Sequence, residues 1–151
     1  NRAWLLDSGC TAHLCGDQEC FKSMSESSNI KLILASQAST QVKGKGVVHL
    51  PVSSSSGYKV YEFKDTLYVP DLRTNLISVA KITNKEHEVT FRRNDAYVRD
   101  EHGNINVIAD RKGDLYVVRE GSECAEAAVQ YGCSELLKWH ARLGHLNVKD
   151  L

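Results

Sequence analysis

The chain has 151 residues, enough for one domain with a hydrophobic core and a small appendage. Its 19 basic and 19 acidic residues cancel, so charge gives no reason to expect a polyanion-binding surface. The hydrophobic content of 42% is ordinary for a globular domain in water. Because we recognise neither an apolar run long enough to span a bilayer nor a signal segment, we expect no membrane partner.

The first predicted elements surround a short acidic motif. Residues 1–6 read as a strand, Asp7-Ser8-Gly9 as its turn, and residues 11–14 as a second short strand. A carboxylate at the tip of a buried strand is costly unless something uses it. Asp7 therefore has two interpretations: a β-turn in which it bonds its own backbone, or the reactive loop of an aspartic protease.

The next region is a predicted β-hairpin. After a polar loop over residues 20–29, strands are predicted at 30–35 and 40–52. Gly44 and Gly46 interrupt the second strand and indicate a bulge or a close backbone approach. The hairpin is either a plain structural element or a mobile flap over a cleft. Its predicted tip consists of Ser36, Gln37, Ala38 and Ser39.

Short strands then follow at close spacing, interrupted by one short helix that Ser78 caps. Many short strands with one brief helix predict an all-β fold, a small closed β-barrel. After the barrel we predict a linker over residues 120–133 and a short helix over residues 134–143, at the start of the segment 134–151. The predicted strands of this part cover residues 58–63, 66–69, 76–77, 88–92, 96–100, 105–109 and 115–119.

The cysteines bear on the compartment. Their number is odd and their spacing loose, so we expect free thiols in a reducing compartment. Three of them lie five residues apart near His13, which makes a metal site conceivable. Without a C-x-x-C pair, simple buried thiols are the favoured interpretation. The five cysteines are Cys10, Cys15, Cys20, Cys124 and Cys133.

Three sequence blocks resemble one known family. The first, LLDSGCTAHL over residues 5–14, resembles the protease signature of copia-type LTR retrotransposon Gag-Pol polyproteins. LYVPDL and NLISV, within residues 67–79, resemble a second block of that family, and WHARLGHLN at 139–147 resembles the start of its GAG-pre-integrase segment. The resemblance implies a retropepsin-like aspartic protease domain over residues 1–119, followed by the linker and a truncated pre-integrase segment.

The resemblance also implies the roles of particular residues. Asp7 becomes the catalytic carboxylate, and Ser8 and Gly9 complete the catalytic loop. Ser78 stands where most retropepsins carry glycine. The hairpin becomes the substrate flap, although its tip also lacks glycine. The residues of that flap tip are Ser36, Gln37, Ala38 and Ser39.

A single Asp-Ser/Thr-Gly motif has a consequence for assembly. Asp65-Thr66 continues with Leu67 and cannot make the same turn. Aspartic proteolysis needs two carboxylates that share one proton. The predicted enzyme is therefore a homodimeric aspartic endopeptidase with one Asp7 per subunit. We expect it to process the Gag-Pol polyprotein in cytoplasmic virus-like particles, without a cofactor for the protease.

We interpret two chemically reactive residues near the motif, His13 and Cys10, as structural and not catalytic. His13 is predicted to pack or hydrogen-bond behind the loop, because an aspartic mechanism needs no histidine base. Cys10 is predicted to be a small buried residue, since spacing alone defines no cysteine-protease arrangement.

Other functions remain open at this stage. One is a non-catalytic, transposon-derived β-barrel binding module, against which the intact motif argues. Another is an integrase-type nucleic-acid binder, which the zero net charge disfavours. We expect nucleic-acid contact only through a downstream integrase region. His140 and His145 have the H-x4-H spacing of half a Zn²⁺ site, which we expect to be complete only in a longer polyprotein.

Overall fold

A computed structural model of the chain describes residues 2–27, 31–33 and 39–121. Over these residues the fold is all-β and barrel-like, as predicted, with one α-helix and one 3₁₀ turn at Gln18–Cys20. No helix in this described part is long and apolar enough to cross a membrane. The elements are β1 (Trp4–Asp7), β2 (Leu14–Cys15), β3 (Phe21–Glu26), β4 (Lys31–Ile33), β5 (Ser39–Gln41), β6 (Gly44–Ser54), β7 (Gly57–Tyr68), β8 (Asn75–Ser78), α1 (Val79–Thr83), β9 (Glu88–Phe91), β10 (Asp95–Arg99), β11 (Ile105–Lys112) and β12 (Leu115–Val118).

Ten of the strands form one curled sheet. Their order is β3-β6-β7-β2-β8-β1-β12-β11-β10-β9, while β4 and β5 pair, as far as the described residues go, only with each other. The sheet bends back on itself where Ser53 N donates to Arg119 O at 3.0 Å. Gly121 N donates to Pro51 O at 3.1 Å in the same region. The barrel contacts therefore continue two residues past the predicted domain end at residue 119.

The core lies inside this curled sheet, because alternate residues of each strand point to one face. Trp4 from β1 and Phe63 from β7 stack at its centre, with ring centroids 6.0 Å apart. Aliphatic side chains and one cysteine fill the space around these two rings. The buried residues of this cluster are Trp4, Leu6, Cys15, Val48, Leu50, Val52, Phe63, Ile77, Ile82, Ala96, Val98, Val107, Ala109 and Val118.

The predicted polar loop over residues 20–29 was wrong, because most of it forms the strand β3. Within the part of the chain that the structure describes, this strand is the edge of the sheet and pairs only with β6, and its solvent side carries polar residues. Phe21 and Met24 of this strand are half-buried. A Cβ at Gly46 would lie 2.0 Å from Ser23 O, so only glycine allows β3 to approach this closely. The predicted close backbone approach at Gly46 is thus confirmed.

The predicted long hairpin was wrong in its extent. Residues 40–52 are divided between β5, which pairs with β4, and β6, which joins the large sheet. The division falls at Val42, which is fully buried, and at Lys43, whose N–H donates to Tyr68 O at 2.9 Å. These contacts draw the chain away from the hairpin and into the barrel.

The two strands predicted at 58–63 and 66–69 are a single strand, β7, with a bulge inside it. Gly46 faces Thr66 and Val48 faces Phe63, so β7 has one extra residue across this gap. Asp65 in the bulge has a φ of 55°. Pairing with β6 resumes on both sides, which the sequence pattern does not reveal. As predicted, Asp65-Thr66 does not form a second Asp-Ser/Thr-Gly turn.

The second half of the barrel agrees with the prediction. The four strands predicted between residues 88 and 119 correspond to β9, β10, β11 and β12, with ends displaced by at most three residues. The predicted cap of the helix is also confirmed, because Ser78 Oγ accepts a hydrogen bond from Lys81 N at 3.3 Å.

Candidate active site

The candidate site lies at one end of three neighbouring strands. β1 and β2 are consecutive in the chain, yet β8 lies between them, parallel to β1 and antiparallel to β2. Asp7, the last residue of β1, is in register with Ser78, the last residue of β8. The chain after Asp7 must therefore pass over the end of β8 to reach β2. We call residues 7–13 the Asp7 loop.

Asp7 itself forms a tight turn at the surface. Its Oδ1 accepts a hydrogen bond from Gly9 N at 2.7 Å, the local bond that aspartate favours in turns. A Cβ at Gly9 would be 3.2 Å from that oxygen, so glycine relieves crowding here. Asp7 is half-buried, while Ser8 and Gly9 are exposed. The turn thus fixes one carboxylate oxygen and presents the loop to solvent.

Ser78 connects the Asp7 loop to the barrel. Its Oγ donates to Cys10 O at 2.7 Å, and its backbone N–H donates to Nδ1 of His13 at 3.0 Å. The same hydroxyl accepts from Lys81 N as the cap of α1. Ser78 is fully buried. Ser78 therefore holds both the middle and the end of the loop.

His13 closes the Asp7 loop from below, as the sequence predicted. The residue is only 3% exposed, and its ring packs against the Phe63 ring in a T-shaped arrangement at a centroid distance of 5.0 Å. Burial, followed by the positive charges of Lys85 and Lys81, lowers the pKa of His13 from 6.5 to about 4. At neutral pH its Nδ1 is therefore an unprotonated acceptor for Ser78 N–H.

The described cysteines are free thiols, and Cys10 is the one inside the loop. Burial, followed by the negative charge of Asp7, raises the pKa of the Cys10 thiol to about 11. Cys10 is therefore a neutral thiol at pH 7, although it is half-buried and not fully buried as predicted. Contact with the Cys20 thiol, followed by burial, raises the pKa of Cys15 as well. Within the described ranges, no three His, Cys, Asp or Glu residues are grouped to hold a metal ion.

The opposite end of the same strands is held by residues that the sequence reasoning missed. We call Arg2, Asp17 and Asn75 the base network. Arg2 Nη1 donates to the Asp17 carboxylate and, at 2.9 Å, to Gly16 O. Asn75 Oδ1 accepts from Gly16 N at 2.8 Å, and its Nδ2 donates to Asp17 Oδ2 at 3.3 Å. The network therefore ties the start of β1, the end of β2 and the start of β8 together.

The electrostatics of the base network favour an ionised Asp17. Partial burial would by itself raise the pKa of Asp17, but hydrogen bonds from Arg2 and Asn75, together with the charge of Arg2, lower it overall. Asn75 is fully buried. The predicted strand at 76–77 left Asn75 outside it, whereas the structure makes Asn75 the first residue of β8, where its buried amide needs a partner.

Several predicted site residues lie outside the described residues. These include three of the four flap-tip residues, and both histidines of the predicted zinc half-site. Ser39 begins β5, where its backbone pairs with Ile33, so the short β4–β5 hairpin exists but its role as a flap stays a prediction. The residues with predicted roles that lie outside the described ranges are Ser36, Gln37, Ala38, Cys124, Cys133, His140 and His145. The predicted linker from residue 122 onward and the predicted helix after it also lie outside these ranges.

Comparison of the sequence with known protein families shows the class of protein. The chain matches the Pol polyprotein β-barrel domain family over residues 4–87, more than half its length, and it belongs to that family. The confirmed class is thus a retrotransposon Pol polyprotein domain, consistent with the copia-type resemblance.

Two relatives place it more closely. The chain is similar to the putative transposon Ty5-1 protein of Saccharomyces cerevisiae, with 36% identity over 76 residues, 50% of this chain and 47% of the relative. It is also similar to the retrovirus-related Pol polyprotein from transposon RE2 of Arabidopsis thaliana, with 30% identity over 150 residues, 94% of this chain. That match covers only 10% of the Arabidopsis protein. The chain thus spans about half of one relative and a tenth of the other.

Proposed function

We propose that the chain is the aspartic endopeptidase of a copia-type retrotransposon and processes its Gag-Pol polyprotein. The observation that carries the proposal is the position of Asp7. Its carboxylate stands half-buried at the end of a core strand, on a loop that Ser78 fixes to the strand beside it. A reactive group on a rigid base, with exposed Ser8 and Gly9 next to it, suits a catalytic loop.

The chemistry requires a second carboxylate. In aspartic proteolysis an ionised carboxylate takes a proton from water, whose oxygen attacks the carbon of the scissile carbonyl. A protonated carboxyl group donates to the carbonyl oxygen at the same time, and the proton taken from water passes to the leaving nitrogen. Two carboxyl groups in contact can share one proton because both cannot easily be ionised together. We propose that Asp7 of a second copy supplies this partner across a two-fold axis.

Exposure of the loop supports this assembly. Ser8, Gly9 and Thr11 are exposed in the single chain, so the segment beside Asp7 is accessible to a second copy. Within the proposal, the β4–β5 hairpin of each copy covers the bound peptide. Its tip residues Ser36, Gln37, Ala38 and Ser39 would then contact the substrate.

The first test removes the carboxylate. We expect Asp7→Asn to reduce cleavage of a Gag-Pol fragment by about 10³-fold or more, because the amide can neither share the proton nor activate water. Asp65→Asn is the matched control, since Asp65 also precedes a hydroxyl residue but has a side chain that is 70% exposed in the β7 bulge. Near-normal cleavage by Asp7→Asn would overturn the proposal.

The second test addresses the shared site. Specific activity should fall on dilution once the protein dissociates to monomers, as followed by analytical ultracentrifugation. Constant specific activity in a monomeric sample would contradict the two-copy site. A folded dimer that cleaves no Gag-Pol fragment would favour the non-catalytic binding module.

A further inference from the structure

We propose that neutral His13 is a positioning residue for the Asp7 loop, and that protonation of its ring releases the loop and inactivates the site in acid. This inference rests on the proposed protease function. His13 does not touch a reacting atom in this scheme. It acts through Ser78, whose N–H it accepts and whose hydroxyl holds Cys10, three residues after Asp7.

The hydrogen bond from Ser78 N to Nδ1 of His13 leaves no room for a proton on that nitrogen. The two nitrogens are 3.0 Å apart, and the Ser78 N–H already points along the line between them. A second N–H from the ring would place two donors against each other. Ser78 is fully buried and His13 is 3% exposed, so solvent cannot easily substitute for the lost bond. The strand end and the loop must then separate.

The groups around the ring favour its neutral form. Lys81 on α1 and Lys85 in the turn after it oppose a positive charge on His13. Asp65 in the β7 bulge opposes them more weakly, and Phe63 adds a T-shaped ring contact without a charge. Asp7 lies on the same loop. The ring therefore stays neutral through mildly acidic solution, and it charges only when the pH approaches about 4.

The substitution His13→Asn separates two properties of His13, its hydrogen-bond acceptor for Ser78 N–H and its ability to take up a proton. The Oδ1 of asparagine lies at nearly the same distance from the backbone as Nδ1, so His13→Asn can keep an acceptor for Ser78 N–H but cannot titrate. Leucine fills the space without an acceptor, so His13→Leu leaves Ser78 N–H unpaired. His102→Asn is the control, because the His102 side chain is 75% exposed and lies on another turn.

The experiment measures kcat and KM for peptide cleavage from pH 3 to pH 7 with the full chain. We expect the acid limb of the native kcat profile to have its midpoint near pH 4 and to move by about one pH unit or more to lower pH in His13→Asn. His13→Leu should lower kcat about tenfold at pH 5 to 6 with little change in KM, because a displaced loop weakens chemistry more than peptide binding. His102→Asn should behave as the native chain. An unchanged acid limb in His13→Asn, or a native kcat in His13→Leu, would overturn the inference.

A second measurement separates failure of the inference from failure of the proposed function. Urea unfolding of the Asp7→Asn chain needs no catalysis. We expect the urea concentration at the unfolding midpoint to decrease as the pH is lowered from 6.5 to 4. Adding His13→Asn should remove most of this fall, and equal curves for the two chains would refute the His13–Ser78 link. If the link holds but the native chain cleaves nothing at any pH, the proposed function fails and the positioning role with it.

Discussion

The two ends of the paired strands β1 and β8 are stabilised in different ways. At one end, the base network joins three chain segments through a charged pair and a buried amide, each with several partners. At the other end, the two hydrogen bonds that side chains make between the Asp7 loop and β8 both involve Ser78, and Leu67 N donates to His13 O at 2.9 Å. The difference indicates that the base network fixes the fold, whereas the Asp7 loop can be displaced without unfolding the barrel. Substitutions at the two ends should therefore have different consequences.

The largest expected effect is at the base. Asn75→Ala removes the acceptor of Gly16 N and the amide donor to Asp17, and it leaves a cavity at a fully buried position. A buried unpaired N–H and a cavity together should lower the free energy of unfolding by about 4 kcal/mol. Urea denaturation followed by circular dichroism measures this change.

The control for this prediction is Asn94→Ala. Asn94 lies exposed in the turn between β9 and β10. Its backbone carbonyl accepts a hydrogen bond from Arg111 N, and its side chain makes no hydrogen bond to the other described residues. We expect a change within about 0.5 kcal/mol. If Asn75→Ala were as mild as Asn94→Ala, the base would not be the part that fixes the fold.

The second prediction uses acid to separate the two ends. His13 has a lower pKa in the folded chain than its ordinary value of 6.5, so the unfolded chain binds the extra proton first. Its stabilising contribution is complete above pH 6.5 and is lost as the pH falls to about 4. The corresponding loss in the free energy of unfolding is about 3 kcal/mol. Denaturant unfolding at intervals between pH 7 and pH 4 tests it.

The contribution of the base network to stability should change only at lower pH. The pKa of Asp17 is held below its ordinary value of 3.8, so its contribution is present above that pH and is lost as the pH falls through the lowered pKa. We therefore expect His13→Asn to flatten the curve above pH 4 and Asp17→Asn to change it below pH 4. Overlapping effects of the two variants would contradict the separation of the two ends.

The third prediction weighs charge against geometry within the base network. Arg2→Ala removes the guanidinium contacts with Asp17, Gly16 O and, at 3.3 Å, Pro70 O. Because the Arg2 side chain is 33% exposed, the expected loss is about 2 kcal/mol rather than that of a fully buried charge. Arg2→Lys keeps the charge but cannot reach these acceptors from one planar group, so it should recover about half of the loss. Full recovery by lysine would show that charge alone matters.

The same contrast explains what the sequence could predict. The loop end was predictable because its signals are local: Asp7 is followed at once by a Ser-Gly turn, and Ser78 directly precedes α1. The base was not, because Arg2, Asp17 and Asn75 are far apart in the chain and only the strand order β2-β8-β1 brings them together. Local patterns carry no information on such pairing.

Sheet edges and bulges limited the strand predictions for a related reason. β3 pairs on one side only, so its exposed serines and lysine are compatible with a loop pattern. The bulge at Asp65 interrupts the alternation of β7, although β6 pairs on both sides of it. β9 to β12 were predicted well because short turns join them and their alternation is regular.

The smallest expected effect is at the loop end. Ser78→Ala removes the hydroxyl that caps α1 and holds Cys10 O, but it keeps the backbone N–H that His13 accepts. Loss of a serine cap lowers the free energy of unfolding by about 1 kcal/mol. Thr83→Ala removes an exposed hydroxyl from the same helix, which bonds Ala80 O at 3.1 Å, and should cost less than about 0.5 kcal/mol.

The Ser78 variant also tests which of the two loop bonds responds to acid. Since His13 accepts the backbone N–H and not the hydroxyl, Ser78→Ala should lower stability by a similar amount at pH 7 and at pH 5. The acid midpoint set by His13 should therefore stay in place. A midpoint that moved in Ser78→Ala would mean that the hydroxyl, and with it the Cys10 carbonyl, is coupled to the charge of the ring. The loop would then be held by one joint contact and not by two separable bonds.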